Sequence, residues 1–314
     1  MKISRIIISF IAVILAVTVI VLIPGITTLK EKVENAENLS VPEEIYELNA
    51  VLRDTSCVDF GSIAPKDYGV DFPYGIMPSM KAAYSVNQDT VGRLNVIGTE
   101  LDTVVTQSDD NDYYLRYDFF GKYTYFGNVY LDYRCSADKL CKNNILYGHS
   151  TRSGKEAFRS LAAYTDPEHF INHPIIEYST LFKTYRFKIF AVIISTADRS
   201  EDNCYFDYIY PYMTDKNCVG YLEQIRQRSL YETGVEVSPE DTFLTLSTCY
   251  YGYSSFDARL AVIAKLMDEG ESDSVNPDAV VENPDYRRPD AWYKSRGIEN
   301  PYANSEPWTP SATD

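Results

Sequence analysis

The chain has 314 residues, 29 Lys+Arg against 45 Asp+Glu, and a formal net charge of −16. Apolar residues at 45 % and charged residues at 24 % are those of a globular protein, not a disordered one, and the length supports a full core. The acidic balance, with no Lys/Arg run, excludes a binder of phosphate backbones, so no nucleic acid is expected as a partner.

Residues 6–23 are apolar and uncharged, broken only by Ser9 and Thr18. As a helix these 18 residues rise roughly 27 Å, about the thickness of a bilayer core. Lys2 and Arg5 precede the run, which puts the N-terminus in the cytoplasm and everything after Gly25 outside the cell. A cleaved signal peptide is the alternative, but Pro24-Gly25-Ile26-Thr27-Thr28 offers no small-x-small site. Residues 1–27 are therefore read as a single-pass membrane anchor. Residues 28–85 read as an extracellular stalk: two short amphipathic helices split by Pro42, then from 57 a Gly- and Pro-rich loop.

From 86 to 267 the pattern is mostly of period two. Strands are expected at 91–98, 103–107, 128–132, 143–149, 175–179, 185–196, 241–248 and 258–265, with helical spacing at 156–164 and 219–229. Many short strands with polar turns predict a mainly β domain closed, or nearly closed, into a barrel. The 27 tyrosines fit half-buried strand positions. At 268 the composition changes. Residues 268–314 hold eleven acids, four bases and six of the fifteen prolines, and few aliphatics. Such a tail is expected to be disordered, or to be a docking segment carried by Trp292 and Trp308.

The last two strands point to chemistry. Alternation puts Leu244 and Leu246 on one face and Phe243, Thr245, Ser247 and Cys249 on the other. In 258–266, Ala258, Leu260, Val262, Ala264 and Leu266 share a face, and Arg259 points the opposite way. With the leucine faces inward, Cys249 and Arg259 meet outside the barrel at facing ends of a hairpin. A thiolate nucleophile needs a base or cation nearby; Arg cannot be the base, so its role is electrostatic. The acid/base must be a histidine, and only three exist. His149 ends the apolar segment Asn144-Ile145-Leu146-Tyr147-Gly148 beside a glycine. His169 and His173 have an i, i+4 spacing but no HExxH pattern and no third ligand, so neither a metal nor another cofactor is expected. Cys57, Cys135, Cys141, Cys204 and Cys218 are read as structural or free thiols. Pairs Cys135–Cys141 and Cys204–Cys218 could each close a loop.

Asn144-Ile145-Leu146-Tyr147-Gly148-His149, then Thr245-Leu246-Ser247-Thr248-Cys249, then Arg259, closely resemble the signature of the sortases. Asn87-Gln88-Asp89-Thr90-Val91-Gly92, Gln107-Ser108-Asp109-Asp110-Asn111-Asp112-Tyr113-Tyr114-Leu115 and a helix-bearing insert around 212–230 look like class B sortases. The resemblance covers 86–267 and departs at Arg93, where Trp is expected, and at Ser150, where Asn is frequent. It implies a closed barrel of about eight strands with N-terminal helices and a helix-bearing insert before the penultimate strand. It implies a transpeptidase in which Cys249 cleaves a Thr–Gly or Thr–Asn type bond in the C-terminal sorting signal of a secreted protein, forming a thioacyl-enzyme. His149 would move the proton, Arg259 would stabilise the oxyanion, and Ser247 and Thr248 would touch substrate. The amine acceptor would come from a peptidoglycan precursor or a pilin lysine. A thiol that must be ionised while an imidazole is protonated predicts a bell-shaped pH profile.

Two other readings are open. A surface cysteine peptidase would use the same groups with water as acceptor, although papain-like enzymes place Cys before His. A non-catalytic membrane-tethered binding protein would be indifferent to Cys249→Ala.

Overall fold

Among the described residues the chain forms strands β1 (Thr90–Val96), β2 (Asp102–Thr106), β3 (Val129–Leu131), β4 (Asn143–Tyr147), β5 (Ile175–Thr180), β6 (Thr184–Thr196), β7 (Tyr231–Glu232), β8 (Phe243–Cys249), β9 (Ala258–Leu266) and β10 (Val281–Glu282). Eight of them close into a barrel in the order β1-β2-β3-β4-β8-β9-β6-β5. This is a computed structural model, and it describes residues 69–150, 157–202, 205–253, 256–305, 307–308 and 310. The expected anchor at 1–27, both stalk helices, Cys57 and Cys204 lie outside the described residues. Among the described residues no helix is long and apolar enough to cross a membrane.

The mainly β barrel matches the expectation from period-two patterning. Most neighbours are antiparallel, but β2 runs parallel to β3 and β4 parallel to β8. The inside is filled by Leu94, Leu131, Phe187, Leu246, Leu260 and Val262, all fully buried. Each such side chain contributes about 1.5–3 kcal/mol by leaving water.

One stretch of the barrel is buried on both faces. The helix-bearing insert precedes β8, as expected, and holds a helix at Asp215–Arg228. Thr214 caps its start by accepting from the Asn217 N–H at 3.2 Å. Its apolar residues Tyr221, Leu222 and Ile225 press on the outer face of the sheet, against Phe243, Ala261, Ile263 and Ile193. Along β6 the alternation slips: Ile189 faces the inside, Phe190 and Ala191 both face out, and Val192 faces in again. The register against β9 shifts between Ile189 and Ala191, so Phe190 is the extra residue of a bulge.

Two expectations are corrected. The loop assigned up to residue 85 contains a helix at Pro78–Val86, with Pro at its first positions and Met80 and Ala83 buried, Met80 against Ile76 and Leu181. The tail is not without structure over 268–305. Here β10 pairs with β7, and a short helix spans Asp290–Lys294. The Asn283 side chain donates to the carbonyls of Arg226 and Ser229 at 2.9 and 2.8 Å, satisfying the open end of the insert helix. Few aliphatics are needed, because aromatic rings make the contacts. The Trp308 ring sits 5.7 Å from that of Tyr221 and 5.8 Å from those of Phe206 and Tyr210. It lies where Gly220 has no side chain; a Cβ there would be 2.5 Å from the indole nitrogen. Tryptophan emission should therefore shift to the red on unfolding, where a solvated tail predicts little change. Emission spectra in buffer and in guanidinium check this.

Candidate active site

The site is assembled by strand register. Cys249 is the last residue of β8, and its Cα partner on β9 is Arg259. On the other side β8 runs parallel to β4, with Ser247 opposite Tyr147. The pairing continues past the end of β4: the Gly148 N–H donates to Ser247 O at 3.4 Å, and the Thr248 hydroxyl donates to Gly148 O at 2.7 Å. The next residue on each chain is His149 and Cys249. The three candidates thus form one row across three neighbouring segments, and all three border one groove of about 290 Å³. Gly148 is required for this approach, since a Cβ would lie 2.7 Å from the ring of buried Phe158.

The face assignments from the sequence hold. Leu244 and Leu246 pack inside the barrel with Leu260 and Val262, while Phe243, Ala261 and Ile263 pack outside it. The insert helix covers that outer face at the Phe243 end. At the Cys249 end the same face is the groove, and Cys249 is half-buried there as a free thiol.

His149 is held through Nε2, 2.7 Å from the Leu115 carbonyl oxygen. A carbonyl only accepts, so this bond places the proton on Nε2 and leaves Nδ1 as the basic nitrogen of the neutral ring. The imidazole also stacks on Tyr125, with ring centroids 6.2 Å apart at 22°, and the Arg116 guanidinium lies 5.5 Å over the tyrosine ring. Arg259 makes a two-pronged bond to Asp257 and donates to Ala258 O at 3.2 Å. Burial works against its charge, but the Asp257 bonds and the neighbouring Cys249 outweigh it and hold the guanidinium above its ordinary range.

Ser247 opens onto the groove, with its Oγ 2.9 Å from the Tyr208 hydroxyl. The Thr248 hydroxyl is engaged with Gly148 O, tying β8 to the residue before His149. Beneath the groove lies a buried carboxylate that strand patterning does not single out. Asp132 accepts from Arg134 Nε at 2.9 Å and Nη2 at 2.8 Å, from the Tyr147 hydroxyl at 2.8 Å and from Asn111 Nδ2 at 3.2 Å. Arg134 also donates to Ile209 O at 2.9 Å, which joins this hub to the far wall. Its sequence signal is only an Asp–x–Arg spacing after a strand, which is common.

His169 and His173 lie away from the groove, with ring centroids 4.7 Å apart. Among the described residues no cluster of three or more His, Cys, Asp or Glu could hold a metal ion. Cys135 and Cys141 are buried free thiols; the Cys141 sulfur accepts the Ser136 N–H at 3.1 Å and bonds with the Tyr212 hydroxyl at 3.4 Å. Cys218 is also free and buried, on the insert helix.

No family model matches the chain. A protein called sortase B from Listeria monocytogenes is 33 % identical over 192 residues, covering 61 % of this chain and 75 % of that protein. Among solved structures, a Staphylococcus aureus sortase B–substrate complex has a TM-score of 0.57 at 25 % identity, covering 76 % of this chain and 99 % of that one. A sortase B complexed with triglycine has a TM-score of 0.54 at 28 % identity, covering 61 % of this chain and 86 % of that one.

Proposed function

The chain belongs to the class B sortases and is a cysteine transpeptidase, and on that premise we propose that Cys249, His149 and Arg259 carry the reaction. The Cys249 thiol passes its proton to His149 Nδ1, and the sulfur attacks the carbonyl carbon of a bond within a sorting signal at the C-terminus of a secreted protein. A carbon–sulfur bond forms, the carbon–nitrogen bond breaks, and His149 Nδ1 delivers a proton to the departing amine. An acceptor amine then enters the groove and loses a proton to the same nitrogen. It takes the acyl group, and the thiolate leaves.

Arg259 holds the negative oxygen of each tetrahedral intermediate. Asp257 fixes its fork in place, so little reorganisation is needed as charge develops. The observation that carries this reading is the row: His149, Cys249 and Arg259 come from three adjacent segments and open on one groove. A sortase B in complex with substrate and a sortase B complexed with triglycine support a peptide donor and an amine acceptor. The acceptor is a peptidoglycan precursor amine or a pilin lysine, and the apolar run 6–23 tethers the domain outside the membrane.

The test is a peptide library containing Thr–Gly and Thr–Asn bonds, incubated with enzyme, with and without triglycine. Intact mass should show a thioacyl adduct on Cys249, and triglycine should divert at least half of the acyl groups into a transpeptidation product. Hydrolysis unaffected by triglycine would leave a peptidase instead.

A further inference from the structure

We propose that Trp292 and Arg296, in the C-terminal segment, are positioning residues for the nucleophile, acting through Tyr253; the inference rests on Cys249 as the reacting group. The connection between β8 and β9 leaves directly after Cys249 and returns at Ala258, one residue before Arg259, so whatever fixes it bears on how the thiol and the guanidinium are held. Its rings form a chain. Tyr250 meets Tyr253 edge-on at 5.4 Å, and Tyr253 meets Phe256 at 5.5 Å. Gly252 allows Tyr250 to fold back, because a Cβ there would lie 2.2 Å from the Tyr250 hydroxyl. Two backbone bonds hold the roots of the connection: Tyr250 N–H to Ala258 O at 2.9 Å and Ala197 N–H to Asp257 O at 2.9 Å.

The C-terminal segment supports the tip. The Arg296 guanidinium lies 4.3 Å over the Trp292 ring and 5.9 Å over that of Tyr253. Arg288 lies 4.4 Å over the same indole and 4.3 Å over Tyr286. The phenol of Tyr286 is buried, which pushes its ionisation well up, with Tyr253 and Tyr250 adding to the effect from nearby. Trp292, Tyr250 and Tyr253 all pack on the barrel core beside buried Phe256. The segment is independently anchored upstream, through Asn283 and through the Arg287 N–H, which donates to Gln227 O at 2.8 Å. The base of the support is therefore fixed on the insert helix while its end bears on the catalytic hairpin. A displacement of about 1 Å at a reacting group costs up to 10²-fold in rate.

The experiment compares Trp292→Ala and Arg296→Ala with Trp308→Ala, which removes an indole of the same size from the same segment, one whose ring contacts are with Phe206, Tyr210 and Tyr221 and not with the hairpin rings. Two quantities are measured in the full chain: the rate of Cys249 alkylation by iodoacetamide, followed by peptide mapping, and acylation by a sorting peptide at saturation. Trp292→Ala and Arg296→Ala are expected to change the alkylation rate at least fivefold and to slow acylation about tenfold, with KM within twofold. Trp308→Ala should lower Tm and leave both rates within twofold. Arg296→Lys and Trp292→Phe, which keep a cation and a flat ring, should recover most of the loss. Equal rates in all variants, or rate losses that track Tm in all three, overturn the proposal. The alkylation rate needs no peptide, so a failure of the acyl-transfer reading shows itself separately, as normal alkylation differences without any thioacyl adduct.

Discussion

Cys249→Ala yields a folded protein that cleaves no sorting peptide. The thiol is half-buried at the end of β8 and takes no part in the barrel's interior, so its loss leaves stability within about 0.5 kcal/mol. The register on either side is set by backbone pairing and by the Thr248–Gly148 bond, neither of which involves the sulfur. Turnover falls at least about 10³-fold, since no other group on the row can accept the acyl chain. His149→Ala behaves in the same way, because the amine then departs without a proton. Arg259→Lys loses about 10²-fold: an ammonium reproduces neither the two-pronged hold on Asp257 nor the planar fork presented to the oxyanion. Peptide cleavage followed by chromatography, beside a thermal melt of each variant, checks all three. Measurable turnover by Cys249→Ala would remove the sulfur from the mechanism.

Asp132→Ala costs about 3 kcal/mol of stability, because it strands the Tyr147 hydroxyl and breaks a hydrogen-bonded charge pair. The carboxylate is fully buried while the Arg134 side chain is about a third exposed, which keeps the figure at the low end for such pairs. Burial alone would raise the pKa of Asp132. The Arg134 bonds, side chain and backbone, together with the Tyr147 hydroxyl, overcome it and hold the carboxyl below its usual range. A group lowered in the folded state stabilises above its unfolded value, and that contribution is lost as pH falls through the folded value. The stability difference between wild type and Asp132→Asn should thus be full at pH 7 and shrink below about pH 4. Guanidinium melts at pH 7 and pH 3 measure it; a difference that does not change with pH would contradict the role assigned to the charge.

Period-two patterning is enough to expect the barrel, and the alternation in 241–249 and 258–266 is enough to put Cys249 and Arg259 on one face. These are local properties, set by side chains two residues apart. What escapes is non-local or lacks a side-chain signature. The Leu115 carbonyl that orients His149 belongs to the backbone, so no choice of residue announces it. Asp132 looks like a polar strand end until Tyr147 and Asn111, from elsewhere in the chain, join Arg134 in converging on it. The bulge at Phe190 is hidden inside a run apolar on both faces, where alternation has no contrast to display. The tail misleads for a related reason. Its composition is that of a solvated segment, yet a few rings and an asparagine find partners already waiting on the insert helix and the hairpin.

The parallel pairing of β4 with β8 joins positions a hundred residues apart, Ile145 with Thr245 and Tyr147 with Ser247. Joining so distant a pair requires a large loop-closure entropy to be met before any reward appears. His149 and Cys249, the proposed acid/base and nucleophile, sit just beyond that junction, so neither has the other as a neighbour until the junction forms. Without that junction the sulfur has no imidazole beside it. On the proposed assignment, the reacting pair exists only where that junction has formed.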